Sequence, residues 1–146
     1  MRTLSALMFV AAAVLSAAEP IHPNRPNEIA FAPADARFIR FLIHASSSGE
    51  PCIDELEVYG PDGARNLALS KYGAEASASS CLAGYTEHAI SHLNDGCYGN
   101  ECSWVAATAG EEWAQIKLPE PAKVAKVVFS RDRQGHLTDR VPVNFE

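Results

Sequence analysis

The sequence has little positive charge and only one long apolar run. Of its 146 residues, 12 are lysine or arginine and 18 are aspartate or glutamate, which gives a formal net charge of −6. An acidic chain without a basic cluster repels phosphate backbones, so we expect no nucleic acid partner and no attraction to anionic lipid. The apolar run covers residues 4–15 and is shorter than the roughly 20 residues of a membrane-spanning helix.

Sequence patterns that carry catalytic chemistry are also missing. The chain contains no GxSxG, HExxH, P-loop or GxGxxG motif. Glu111 and Glu112 are adjacent carboxyl groups, but neighbouring residues of an extended chain point to opposite sides and make a poor acid–base pair. We therefore expect a protein that is not an enzyme.

The N-terminus has the three-part pattern of a secretory signal peptide over residues 1–18. Arg2 precedes the apolar run, and small residues at positions 16–18 precede Glu19. The alternative, an uncleaved membrane anchor, is disfavoured because the small residues suit a signal peptidase. We expect export to the extracellular medium or the cell envelope, and a mature chain without a transmembrane segment.

The four cysteines are the next informative feature. In an oxidising compartment an even number of cysteines favours disulfides, although sequence does not fix their connectivity. Cys97 and Cys102 flank a short loop that favours a local bridge, which leaves Cys52 to pair with Cys81. The alternative is a zinc site, whose spacing fits no structural zinc motif; it would use Cys81, His88, His92, Cys97 and Cys102.

Short β-type segments and turn signals dominate the rest of the chain. Residues 19–36 contain four prolines and are typical of an extended Pro-rich leader. Residues 37–146 read as one module with no long amphipathic helix, which predicts an all-β sandwich. Pro119 and Pro121 are expected to end one strand, and one or two helical turns are expected over residues 87–93. The strands are expected within residues 38–43, 55–59, 113–118, 124–130 and 141–146.

The order of several short motifs resembles a discoidin domain, also called the coagulation-factor type C domain, a group that includes galactose-binding-like modules. The resemblance implies a jelly-roll β-sandwich that binds glycans, or sometimes lipid or protein. It covers residues 66–146, and it is carried by residues 66–69, 76–80, 93–96, 103–104, 113–118, 124–133 and 139–142.

The chain departs from the family pattern in two ways. The family's closing hairpin, which would match residues 37–43 and 53–60, comes first here, so we expect a circularly permuted module. Family members also continue with further strands after the segment that matches residues 139–142. We therefore expect a jelly roll that is incomplete at the C-terminus and part of a larger extracellular protein.

The resemblance also implies a structural calcium ion and two core tryptophans. Its calcium ligands would match Asp95, Glu55 and carbonyl groups of the loop that follows Asp95, since a hard cation prefers oxygen ligands. The alternative is that Asp95 only forms a turn and Glu55 is only a surface charge. Trp104 and Trp113 match family tryptophans that pack the core, and not sugar platforms.

Loops at one end of a sandwich are the expected place for binding. An aromatic ring with histidine and arginine donors suits a group of sugar hydroxyls, and the alternative is that the arginines form ion pairs with their neighbours. The expected function is a secreted carbohydrate-binding or adhesion-like module. The alternatives are a protein-interaction domain without sugar affinity and an accessory fragment of an extracellular enzyme. The candidate ligand residues are Tyr85, His88, Arg131, Arg133 and His136.

Overall fold

A computed structural model describes residues 20–146, so the predicted signal peptide, residues 1–18, lies outside the described residues. This part of the chain is built from antiparallel strands and short 3-10 segments, which confirms the all-β class. No helix within it is long and apolar enough to cross a membrane. The strands are β1 (Asn27–Ser46), β2 (Cys52–Ile53), β3 (Glu55–Tyr59), β4 (Glu75–Ala78), β5 (Trp104–Val105), β6 (Glu112–Ser130) and β7 (Pro142–Phe145).

Strand β6 organises the main sheet. The sheet has the order β3-β6-β1-β7, and β4 also pairs with β6. Strand β1 pairs with β6 from Asn27 opposite Phe129 to Ile43 opposite Glu112. Strands β2 and β5 form a second, two-stranded sheet. The 3-10 segments lie in the connections and are Ser70–Tyr72, Thr86–His88, Ile90–Asn94 and Asn100–Cys102.

The prolines that we expected to end a strand lie inside β6. The register of β1 and β6 shifts between Ala36 opposite Ala122 and Phe38 opposite Lys117, so the prolines at positions 119 and 121 fall where the ladder is interrupted. A proline lacks an N–H group and is tolerated in a strand where no ladder hydrogen bond is required. Thus residues 113–118 and 124–130, predicted as separate strands, form one strand.

The Pro-rich leader belongs largely to the sheet. From Asn27 onward its residues form the first half of β1, and Pro33 falls in another register shift, between Ala30 and Ala34. The preceding segment also packs on the module, because the carbonyl oxygen of Pro23 accepts hydrogen bonds from the N–H groups of Arg131 and Asp132. The prediction that residues 19–36 stand outside the β-module is therefore wrong for this described part.

The two segments that we predicted to form a closing hairpin are not direct neighbours. Strands β1 and β3 pair with opposite edges of β6, which lies between them. The hairpin was implied by the family resemblance, whereas β6, the strand that separates β1 from β3, comes from more than fifty residues further along the chain. The predicted strands themselves are confirmed.

Alternate residues of β1 and β6 point to one side of the sheet, and the core lies on that side. It contains Trp104, which is fully buried and whose Nε1 donates a hydrogen bond to the Ser80 carbonyl oxygen at 2.9 Å. Trp113 is not part of this core. It is partly exposed, and its ring is covered by the guanidinium group of Arg40, 4.2 Å from the ring centroid. The core position implied by the resemblance is therefore right for Trp104 and wrong for Trp113.

Candidate functional site

Loops from distant parts of the sequence enclose a pocket of about 330 Å³. A volume of this size is at the lower end of the roughly 300–1,000 Å³ that is common for small-molecule sites. The pocket brings together three of the predicted ligand residues, Tyr85, His88 and Arg131. The residues that line it are Glu50, Leu82, Tyr85, His88, Asn100, Val105, Arg131 and Arg140.

Tyr85 and His88 reach the pocket from a 3-10 turn. The turn Thr86–His88 is closed by a hydrogen bond from the His88 N–H to the Tyr85 carbonyl oxygen. The ring centroids of Tyr85 and His88 are 5.9 Å apart, and 53% of Tyr85 is exposed. An exposed aromatic ring beside polar side chains offers an apolar face and hydrogen-bonding groups to the same ligand.

Two arginines form the charged wall of the pocket, and both are paired. Arg131 is buried and donates to the Asp139 carbonyl oxygen, to Asp139 Oδ1 at 2.8 Å and to Asn100 Oδ1 at 2.9 Å. Burial alone would raise the pKa of Asp139, but the hydrogen bond and charge of Arg131 lower it. Arg140 contacts both Glu50 and Asp139. This wall is therefore close to neutral.

Arg133 and His136 do not line this pocket. The Arg133 guanidinium lies 4.1 Å from the Tyr98 ring centroid and contacts Glu57, a buried residue of β3. His136 is exposed in the loop after β6, where its N–H donates to Asp132 Oδ2. Arg133 and His136 follow the end of β6 at residue 130. In a loop of this kind the spacing of residues in sequence does not decide whether their side chains face the same pocket.

Three polar pocket residues were missed by the sequence analysis, as were the apolar Leu82 and Val105. Glu50 lies in the loop that was predicted before β2, Asn100 lies between the two cysteines of a short loop, and Arg140 follows Asp139. Each was in a predicted loop, but only the fold shows that these loops meet. No local sequence pattern distinguishes Glu50 or Asn100 from other loop residues.

Buried acids hold the loop 95–102 against the sheet. Asp54 Oδ2 accepts the Gly99 N–H at 2.9 Å, and both oxygens of Glu55 accept the Gly96 N–H at 3.2 and 3.1 Å. Gly96 and Gly99 have φ values of 84° and 95°, which favour glycine. Asp132 Oδ1 accepts the N–H of Asn100, which fixes the residue that bonds to Arg131. The loop that contributes Asn100 to the pocket is thus anchored to the sheet.

The same loop contains the predicted local disulfide between Cys97 and Cys102, which the structure confirms. Cys52 and Cys81 are free, so the second predicted bridge is not formed in the described chain. Cys52 is buried at the β2 end of the core, whereas Cys81 is exposed and its thiol donates to the His88 carbonyl oxygen. Val105 pairs with Cys52, and its carbonyl oxygen accepts the N–H of Leu82, the residue after Cys81, so β5 runs between the two segments that carry these cysteines.

The alternative zinc site is not assembled. Two of its five residues form the disulfide, His88 bonds to Ser103, and His92 Nδ1 lies 2.7 Å from Asp95 Oδ2. Residues 20–146 contain no group of three or more His, Cys, Asp or Glu side chains that could hold a metal ion.

The two predicted calcium ligands lie at one turn. Glu55 is fully buried, and burial raises its pKa to about 9, helped by the charges of Asp95, Glu57 and Asp54. Asp95 Oδ1 accepts the Cys97 N–H at 2.8 Å, and its other oxygen faces His92. The donor atoms are carboxylate oxygens, which suit a hard cation. Glu55 is buried and is therefore not the surface charge of the alternative interpretation, whereas Asp95 is exposed and forms a turn as that alternative expected.

Glu111 and Glu112 diverge, as the sequence predicted. Glu112 is buried, and its carboxylate accepts hydrogen bonds from Ser79, Ser80 and Thr108. Glu111 is exposed and lies 3.0 Å from His44 Nδ1. The pair is therefore not arranged as an acid and a base around one substrate.

Comparison of the chain with protein-family models, curated proteins and solved structures found no match. The class that the fold and the pocket define is that of an all-β protein with a polar, aromatic-edged pocket between its loops.

Proposed function

We propose that the protein is an exported, non-catalytic binding module of the discoidin-like jelly-roll type, and that the pocket at Tyr85 and His88 binds a carbohydrate. The gathering of an exposed tyrosine ring, a histidine, an asparagine and two arginines in one pocket carries this proposal. The apolar face of a pyranose can pack on Tyr85 while its hydroxyl groups exchange hydrogen bonds with the polar wall. The circular permutation belongs to the same proposal.

A glycan array, followed by titration calorimetry of the positive sugars, tests the proposal. Tyr85→Ala and His88→Ala should each weaken binding by about tenfold or more, a loss of roughly 1.4 kcal/mol. Tyr72→Ala is the matched control, because Tyr72 is an exposed tyrosine, 46% accessible, that does not line the pocket. Failure to bind any sugar, with or without calcium, would overturn the proposal.

A protein-interaction domain without sugar affinity is the second candidate. The ion pairs of Arg131 with Asp139 and of Arg140 with Glu50 support it, because paired loops can serve as a rigid frame. Exposed apolar side chains such as Phe38 would then make the contact. If this function is correct, Phe38→Ser reduces the amount of partner protein recovered in a pull-down, and the pocket variants Tyr85→Ala and His88→Ala do not.

We also propose a structural calcium ion at Asp95 and Glu55. The closeness of the fully buried Glu55 carboxyl to the turn at Asp95 supports the proposal, because a cation would favour ionisation of a carboxyl whose pKa is raised by burial and by the Asp95 charge. A bound calcium ion would add positive charge and hold the loop in one conformation, and the two side chains would supply oxygen ligands. Thermal unfolding with calcium against unfolding with a chelator tests this: a stabilisation that Glu55→Gln abolishes is expected, and equal midpoints would contradict it.

A further inference from the structure

Ser103 joins two walls of the pocket although it does not line it. The residue is fully buried; its Oγ lies 2.9 Å from His88 Nδ1 and 2.8 Å from the Asn100 carbonyl oxygen. A carbonyl oxygen only accepts hydrogen bonds, so the single hydroxyl hydrogen of Ser103 goes to Asn100. Ser103 Oγ must therefore accept at its other contact, and His88 Nδ1 must carry the hydrogen.

This direction defines the chemistry of the other ring nitrogen. A neutral imidazole has one N–H group, and with the hydrogen on Nδ1 the lone pair is on Nε2. Among residues 20–146, Nε2 of His88 has no hydrogen-bond partner, and His88 lines the pocket. His88 therefore presents a hydrogen-bond acceptor to a ligand.

The charged groups of the pocket restrict the ligand further. Nε and both terminal nitrogens of Arg131 donate to Asp139 and Asn100, and Arg140 is paired with Glu50 and Asp139. The pKa of Glu50 is lowered by its own backbone hydrogen bond and by the charge of Arg140, so both carboxylates stay ionised. An anionic ligand would meet no unpaired cation and would face the Glu50 carboxylate.

We propose that Ser103 is a positioning residue that holds His88 as an acceptor, so that the pocket selects an uncharged sugar that donates a hydroxyl hydrogen beside Tyr85. Uronic acids and sulfated sugars are disfavoured by the same arrangement. The ligand part of this inference rests on the proposed function, whereas the state of His88 does not depend on any ligand.

Long-range nitrogen–proton NMR correlation of the histidine rings tests the ligand-free part. At a pH above about 8, where an ordinary histidine is neutral, His88 should carry its hydrogen on Nδ1 in the wild-type chain. Assignment comes from His88→Gln. A wild-type His88 with its hydrogen on Nε2 overturns the proposal.

The variant Ser103→Ala shows whether the serine sets this state. It should shift His88 toward the Nε2–H form, which an unrestrained imidazole favours, while Ser77→Ala, at an exposed position of β4, leaves the spectrum unchanged. An unchanged His88 in Ser103→Ala contradicts the positioning role. If the buried substitution prevents folding, the wild-type spectrum alone decides.

Calorimetry with D-glucose, D-galactose, D-mannose and their uronic acids tests the selectivity. A neutral hexose that binds should bind about tenfold or more tightly than its uronic acid, because the carboxylate of the uronic acid would be desolvated beside the ionised Glu50. Equal or tighter binding of the uronic acid overturns the selectivity. Binding of none of these sugars contradicts the ligand part together with the proposed function, and leaves the NMR result on Ser103 standing.

Discussion

The two tryptophans should respond very differently to the same substitution. Trp104→Phe removes a buried N–H that donates to the Ser80 carbonyl oxygen. A buried acceptor left without its donor costs about 1–3 kcal/mol, and the smaller ring adds roughly 1 kcal/mol for the space that it leaves. We expect a total loss of about 2–4 kcal/mol in the free energy of unfolding. Trp113→Phe keeps an aromatic face for Arg40 and should cost less than about 1 kcal/mol.

Guanidinium unfolding measures this difference when it is followed by far-UV circular dichroism, since tryptophan emission itself changes in both variants. The midpoint should fall clearly for Trp104→Phe and little for Trp113→Phe, with the same slope for both. Acrylamide should quench the remaining tryptophan of Trp104→Phe more strongly than that of Trp113→Phe, because Trp113 is partly exposed. Equal losses, or a larger loss for Trp113→Phe, would refute the placement of the two rings.

Two further predictions concern the cysteines and pH. In the folded, non-reduced chain, iodoacetamide should label Cys81, which is exposed. It should label Cys52 only after unfolding, because Cys52 is buried and burial raises its pKa to about 11. Mass spectrometry that finds both cysteines labelled in the folded chain contradicts this prediction. Hydrogen bonds to Glu111 and then Glu146 raise the pKa of His44. The stabilisation from His44 is therefore present in full below its ordinary pKa of 6.5 and is lost as the pH rises through the raised value. Thermal midpoints of wild type should show this loss, His44→Gln should not, and parallel pH profiles would argue against the assignment.

Local patterns predicted the strands well and their pairing poorly. Successive side chains of the predicted strand 113–118 point to opposite faces, which separates Ile116 from Trp113; the structure agrees, since Ile116 is buried and Trp113 is not in the core. The core position of Trp113 came from the family resemblance and conflicted with that alternation. Pro119 and Pro121 suggested that the strand ends there. The register shift that accommodates them inside β6 depends on pairing with β1, about eighty residues away in sequence, and local patterns do not show that pairing.

The pocket was predicted only in part, because local patterns do not show which loops meet. Tyr85, His88 and Arg131 were selected by residue type and by position in predicted loops, and the fold brings them together. Arg133 satisfied the same criteria, but Glu57 and Tyr98 hold its guanidinium elsewhere. Glu50 and Asn100 had no distinguishing sequence signal, because their role depends on which loops meet.

The pairing of β1 with β6 has a consequence for how the protein folds. Asn27 lies opposite Phe129, so the sheet closes only after a long stretch of chain has been brought together, and such non-local topologies fold in milliseconds to seconds. Tyr85 and His88 lie within that stretch, whereas Arg131 and Arg140 follow it. A partly folded chain without β6 in place therefore has no complete pocket.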